Sequence, residues 1–164
     1  MTRTRRPSLL ITLAHPDDEI FHGGVLAHLS EDPALIEAFR AGEDIHERTA
    51  RQVFGDSTLS TAEKRRRSKI INFSIIYGKT AFTLGKEFGV PTREAQAFID
   101  AYLDRYPRVR ELIDEIIRET RRTGKARTLF GPQRYVPEIG SRNRATRSAA
   151  ERVAVNTPIQ GTAA

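Results

Sequence analysis

The chain contains no cysteine, which excludes disulfide frameworks, thiolate nucleophiles and cysteine-based zinc sites. No apolar run approaches the ~18 residues that a membrane-spanning helix requires. The longest, Leu9 to Ala14, has the length of a strand, and the basic stretch before it lacks the apolar length of a secretory signal. Internal repeats and low-complexity segments are absent. Leucine, isoleucine, valine and phenylalanine supply 40 of the 164 residues, above the composition that signals disorder. With 38 % hydrophobic and 29 % charged residues, the chain can build one domain with a modest core. These properties predict a soluble, cytoplasmic protein.

The net charge of +6 is unevenly spread. Residues 1–120 carry 18 basic and 19 acidic side chains, whereas residues 121–164 carry 9 basic and 2 acidic ones. The excess therefore lies in the last 44 residues. A solvated face would explain a charge cluster alone, but here Arg142, Arg144, Arg147 and Arg152 alternate with Asn, Thr, Ser and Gln. Those polar side chains hydrogen-bond phosphates and base edges, so a polyanion surface is expected.

Leu9 to Ala14 reads as a buried strand ended by His15-Pro16, with Gly23-Gly24 opening a helix. Pro33 lies in the first turn of the next, which runs to about Gly42, and Asp44 to Phe54 is a short helix closed by Gly55. Thr61 is read as the cap of a helix reaching about Tyr77. After Gly78 a helix carrying Phe82, Leu84 and Phe88 stops at Gly89. Thr92 is read as capping a helix with apolar positions Ala95, Phe98, Ile99, Tyr102, Leu103 and Tyr106, and Pro107 breaks it. Val109, Leu112, Ile113, Ile116 and Ile117 repeat the spacing up to Gly124. Ala126 to Phe130 and Arg134 to Val136 form a hairpin around Gly131-Pro132, and a last helix starts near Asn143 or Ala145 and continues toward Asn156.

Arg65, Lys69, Phe73 and Tyr77 are spaced by four. Each step of four turns a helical side chain by ~40° and rises ~6 Å, so the four residues form a slowly winding stripe ~18 Å long. Cations occupy one end and aromatic rings the other. A nucleoside triphosphate has the same layout, with a polyanion at one end and a flat base and sugar at the other. Core aromatics beside solvated cations would give the same spacing.

Residues Arg65 to Gly78 resemble the nucleotide-binding helix in the fingers of family A DNA polymerases, the bacterial DNA polymerase I group. Gly42-Glu43-Asp44-Ile45-His46 is similar to that family's segment whose histidine approaches the triphosphate, and Thr128 to Pro137 to its hairpin. Ala150 to Ala164 resembles the start of the helix along the primer–template minor groove. The resemblance implies that His46, Arg65 and Lys69 hold a deoxynucleoside triphosphate. Phe73 would pack on its sugar and base, and the absence of a hydroxyl there disfavours dideoxynucleotides. Tyr77 would sit by the templating base, while Arg152, Asn156 and Gln160 would contact primer–template DNA. Ser74 departs from the family's glycine and is expected to place a side chain close to the base-pair pocket. Pro132 and Gln133 replace basic hairpin residues, which removes support for a phosphate contact there.

Polymerases of this kind use paired Mg2+ ions on two palm carboxylates. Asp17 falls at the register of the first carboxylate without its surrounding pattern, His22 takes the slot of a glutamate that would contact Tyr77, and the second carboxylate is expected beyond Ala164. The resemblance therefore implies a truncated polymerase region, not a complete catalyst. Leu9 to Glu31 resembles instead the zinc-dependent de-N-acetylases, whose motif would make His15 and Asp18 zinc ligands and Asp17 the base. Only two of three zinc ligands are matched. The reading is a join, with residues 1–24 de-N-acetylase-like and residues 25–164 polymerase-fingers-like. The fold class expected is mainly α, with one short N-terminal strand and a small β-hairpin. A zinc hydrolase site, or a basic helical module that binds nucleic acid without selecting nucleotides, are the alternatives.

Overall fold

The computed structural model describes the backbone of residues 18–163 and the side chains of residues 23–161. Within that range eight helices follow in order: α1 Asp18–Ser30, α2 Pro33–Arg40, α3 Ile45–Phe54, α4 Thr61–Ile76, α5 Ala81–Phe88, α6 Thr92–Arg105, α7 Pro107–Thr123 and α8 Arg144–Ala163. Between α7 and α8, strands β1 (Lys125–Arg127) and β2 (Gln133–Tyr135) pair antiparallel with Ala126 opposite Arg134, followed by a 3-10 turn at Pro137–Gly140. The chain is mainly α with one small hairpin, as its sequence predicts. The strand read at Leu9 to Ala14 lies outside the described residues.

Side-chain caps explain most helix starts. Asp44 Oδ1 accepts the amides of His46 and Glu47, and Asn143 Oδ1 accepts those of Ala145 and Thr146. Asp32, 1 % exposed, serves two helices. Its Oδ1 accepts from Ala34 and Leu35 at the start of α2, and its Oδ2 accepts from the Arg108 amide at the start of α7. A buried carboxylate is tolerated there because helix N-termini favour negative charge. Gly89 and Gly124 end α5 and α7 in the left-handed conformation, at φ 66° and 70°.

Several local expectations differ from the structure. The cap of α4 is Ser60, with Thr61 the first helical residue, and α6 starts after Pro91 with no side-chain cap. Gly23-Gly24 lies inside α1, which begins at Asp18. A Cβ at Gly23 would stand 3.0 Å from the Phe39 ring, so packing against α2 favours glycine at a position where helix propensity alone would start a helix afresh. On α5, which carries Phe82 as expected, that ring is 58 % exposed, with the Lys86 ammonium 4.6 Å from its centroid. Finally, α8 continues through Pro158 to Ala163. Burial of Ala154, Val155 and Ile159 holds it helical despite the donor that proline removes.

One apolar cluster joins all eight helices through Leu26, Leu35, Phe54, Ile71, Leu84, Tyr102, Val109 and Ile159. α4 lies at its centre, touching α1, α3, α5, α6 and α8. A second cluster of Ala126, Val136, Ile139, Ala150 and Ala154 seats the hairpin and the 3-10 turn on α8. Burying those faces is the main driving force for the arrangement.

Candidate functional site

α3 and α4 pack together through the short Gly55–Ser60 connection and carry five of the residues singled out above. Their rings stand in a row. The His46 and Phe73 centroids are 6.4 Å apart with planes inclined by 28°, and those of Phe73 and Tyr77 are 5.8 Å apart at 26°. None of the three is fully buried, although Tyr77 also packs against the edge of the main apolar cluster. The α3 histidine extends the α4 stripe sideways, which spacing along α4 cannot reveal.

The cation-rich run Lys64 to Lys69 separates into distinct roles. Lys64 Nζ donates to the Gly55 carbonyl at 3.0 Å. Arg66 and Arg67 both bind Glu63 at 2.8 Å, and Arg67 also lies over the Phe88 ring at 5.1 Å. The hydrogen bonds from Arg66 and Arg67 draw the Glu63 carboxyl down to about 2. Arg65 Nη2 instead donates to Asp44 Oδ2 at 2.6 Å. Desolvation pushes the Asp44 carboxyl up, but hydrogen bonds from Arg65, Glu47 and His46 outweigh it, and the group ends below its ordinary value. Lys69 is partly buried on the next turn. Within this run Lys64 and Arg67 reach the Gly55 carbonyl and the Phe88 ring, Arg66 stays on α4 with Glu63, and Arg65 joins α4 to the start of α3.

Two hollows flank Phe73. A narrow one of about 20 Å³ lies toward the core, lined in part by Ile45, His46, Asn72, Phe73 and Tyr102. An open groove of about 420 Å³ is lined by Ile70, Phe73, Tyr77 and Lys79. The groove is within the size range of small-molecule sites. Lys79, held by Glu87 at 2.7 Å, is a lining residue the sequence reading missed, as it lies beyond the four-residue spacing. Asn72 and Thr49 were also missed. They form a hydrogen-bonded link between α3 and α4 beneath the rings. Ser74 does not reach the pocket as expected, because its side chain is 1 % exposed and its hydroxyl donates to the Ile70 carbonyl at 2.7 Å.

Arg152, Asn156 and Gln160 follow one another along α8, each partly buried. α8 meets the end of the stripe at Gly78, whose φ is +61°. A Cβ on Gly78 would lie 3.3 Å from Arg152 Cγ, so glycine serves both the turn after Tyr77 and the approach of Arg152. The Asn156 Oδ1 atom is buried with no hydrogen-bond partner among the described residues. Arg134, Arg142 and Arg144 are exposed, as are Phe130 and Tyr135 of the hairpin.

His15 and Asp17 lie outside the described residues, as does the side chain of Asp18. Among the described residues no three His, Asp or Glu side chains are grouped to hold a metal ion. No helix among the described residues is long and apolar enough to cross a membrane.

A helical region with a cationic and aromatic stripe beside a basic helix matches a known class. Residues 24–164 match the model of DNA polymerase family A, and the chain belongs to that family. It is 48 % identical over 141 residues to the thermostable DNA polymerase I of Thermus filiformis, covering 85 % of this chain and 17 % of that one. It is 45 % identical over 157 residues to the thermostable DNA polymerase I of Thermus aquaticus, covering 95 % and 18 %. Among solved structures it is similar to the POL domain of Pol1 from M. smegmatis in complex with DNA primer-template and dNTP. That similarity has a TM-score of 0.77 at 39 % identity, over 87 % of this chain and 25 % of the other. The chain spans about a sixth of the length of the curated relatives it matches.

Proposed function

We propose that the chain binds a deoxynucleoside triphosphate along α4 and primer–template DNA along α8, as the fingers contribution to template-directed DNA synthesis. The observation that carries this reading is the stripe itself. Arg65 and Lys69 lie one turn apart at one end, and the stacked rings of His46, Phe73 and Tyr77 lie at the other. His46, Arg65 and Lys69 meet the phosphates in this proposal, Phe73 meets sugar and base, and Tyr77 the templating base. Arg152, Asn156 and Gln160, one turn apart along α8, meet the duplex. Binding alone is proposed, because Mg2+ chemistry needs paired carboxylates and Asp17, the first of them by register, lies outside the described residues. Residues 1–24 remain a separate segment in this proposal, although α1 crosses residue 24 without a break. A cytoplasmic location accords with DNA as the ligand.

Two substitutions test it. Lys69→Ala is expected to weaken binding of a fluorescent deoxynucleoside triphosphate while leaving duplex affinity almost intact. Arg152→Ala is expected to do the reverse. Equal losses of duplex affinity would favour an undifferentiated basic module over polymerase fingers.

A further inference from the structure

Beneath the ring row lies a polar link that the stripe does not require. Asn72 is 5 % exposed in the middle of α4, where asparagine is a poor helix former and a buried amide is costly unless paired. Both ends of the amide meet α3. Thr49 Oγ1 lies 3.1 Å from Asn72 Oδ1, and Asn72 Nδ2 lies 2.8 Å from His46 Nδ1. Thr49 is fully buried, so its hydroxyl proton needs an acceptor within the protein; it has Asn72 Oδ1 at 3.1 Å and the Tyr106 hydroxyl as neighbours, and donates to the amide oxygen. With the oxygen turned to Thr49, the amide presents its N–H to His46. A ring nitrogen that accepts a hydrogen bond carries no proton, and a neutral imidazole then carries its proton on the other nitrogen.

The geometry points to Asn72, oriented by Thr49, as a positioning residue that fixes neutral His46 in the Nε2–H tautomer. The ring thereby offers an N–H donor to a phosphate oxygen without having to be cationic. The opposite tautomer would turn an unprotonated nitrogen toward the anion. What the N–H meets rests on the nucleotide reading above, whereas the tautomer itself does not.

The test is nitrogen NMR of the ring nitrogens in the 15N-labelled chain at about pH 8.5, above the ordinary histidine range. His46→Gln identifies the signals. In the unsubstituted chain, His46 is expected to show a protonated Nε2 and an unprotonated Nδ1. Asn72→Asp places a carboxylate against Nδ1 and is expected to draw the proton there. Because that variant buries a charge, Thr49→Val provides a second route. It keeps the volume, removes the hydroxyl that orients the amide, and is expected to give a mixture of tautomers. Affinity for a fluorescent deoxynucleoside triphosphate is expected to fall about tenfold in Asn72→Asp, the worth of one hydrogen bond to a charged group, and about twofold in Thr49→Val, where part of the population keeps the competent tautomer, with circular dichroism reporting retained helix. A dominant Nδ1–H form in the unsubstituted chain would overturn the proposal, as would an unchanged tautomer in folded Thr49→Val. A chain that holds the Nε2–H form but binds no triphosphate overturns the nucleotide reading and leaves the positioning role standing.

Discussion

Asp44 and Arg65 are 21 residues apart in sequence, yet the Asp44 carboxylate joins them across the α3–α4 pair. One oxygen caps α3 through the amides of His46 and Glu47, and the other accepts from Arg65 at 2.6 Å. The residue that starts the histidine's helix therefore also holds the first cation of the stripe.

Separating those two roles gives the first prediction. Asp44→Asn keeps a capping oxygen and removes the charge, so it should cost less than ~1 kcal/mol, since both partners are substantially exposed. Asp44→Ala also loses the cap and should cost ~1 kcal/mol more. Urea denaturation of the two variants measures the difference. In Asp44→Asn, triphosphate affinity should rise, because no carboxylate competes with phosphate for Arg65.

Acid should weaken α4 in a defined window. The Glu63 carboxyl is lowered from 4.5 to about 2 by Arg66 and Arg67. A lowered folded-state value means that the contribution is present above the unfolded value and is lost as pH falls through the folded one. Asp44 is lowered as well and acts in the same direction. Stability should decline between about pH 4.5 and 2 more steeply than in Glu63→Gln. Thermal melts across that range decide it, and identical slopes would remove the Glu63 account.

Glycine at position 78 serves both conformation and approach, which a pair of variants can divide. Gly78→Ala and Gly89→Ala each force alanine into the left-handed region, at φ +61° and +66°, at ~1–2 kcal/mol. Only at Gly78 does the new Cβ meet Arg152, since nothing lies within 4 Å of one at Gly89. Similar losses of stability, with duplex affinity reduced only in Gly78→Ala, are expected in melting and fluorescence anisotropy.

Ser74→Ala should be nearly silent. The hydroxyl is buried and bonded to a helix carbonyl, and alanine is the better helix former, so stability should change by less than ~0.5 kcal/mol. Triphosphate affinity should not move. A clear change in affinity would mean that this side chain reaches the ligand.

Duplex binding should carry the imprint of the basic last 44 residues. Each phosphate neutralised releases counterions, so affinity should fall with salt. Arg152→Ala should flatten that dependence by about one unit at most. A duplex affinity independent of salt would remove residues 121–164 as the DNA surface.

The sequence alone determined the helical class, because three-four apolar spacing and the Gly89 and Gly124 stops are local signals that burial reinforces. It also determined the order of cations and rings on α4, because a four-residue repeat fixes which side chains share a helix face. Tertiary structure decided what spacing cannot encode. It placed Gly23 inside a helix against Phe39, turned Phe82 outward and kept α8 helical past Pro158. It drew His46 beside Phe73 and joined Thr49, Asn72 and His46 into one link, through residues 23 and 26 positions apart. Such contacts arise when two helices bury their faces against each other, and no periodicity within either helix specifies its partner's rotation.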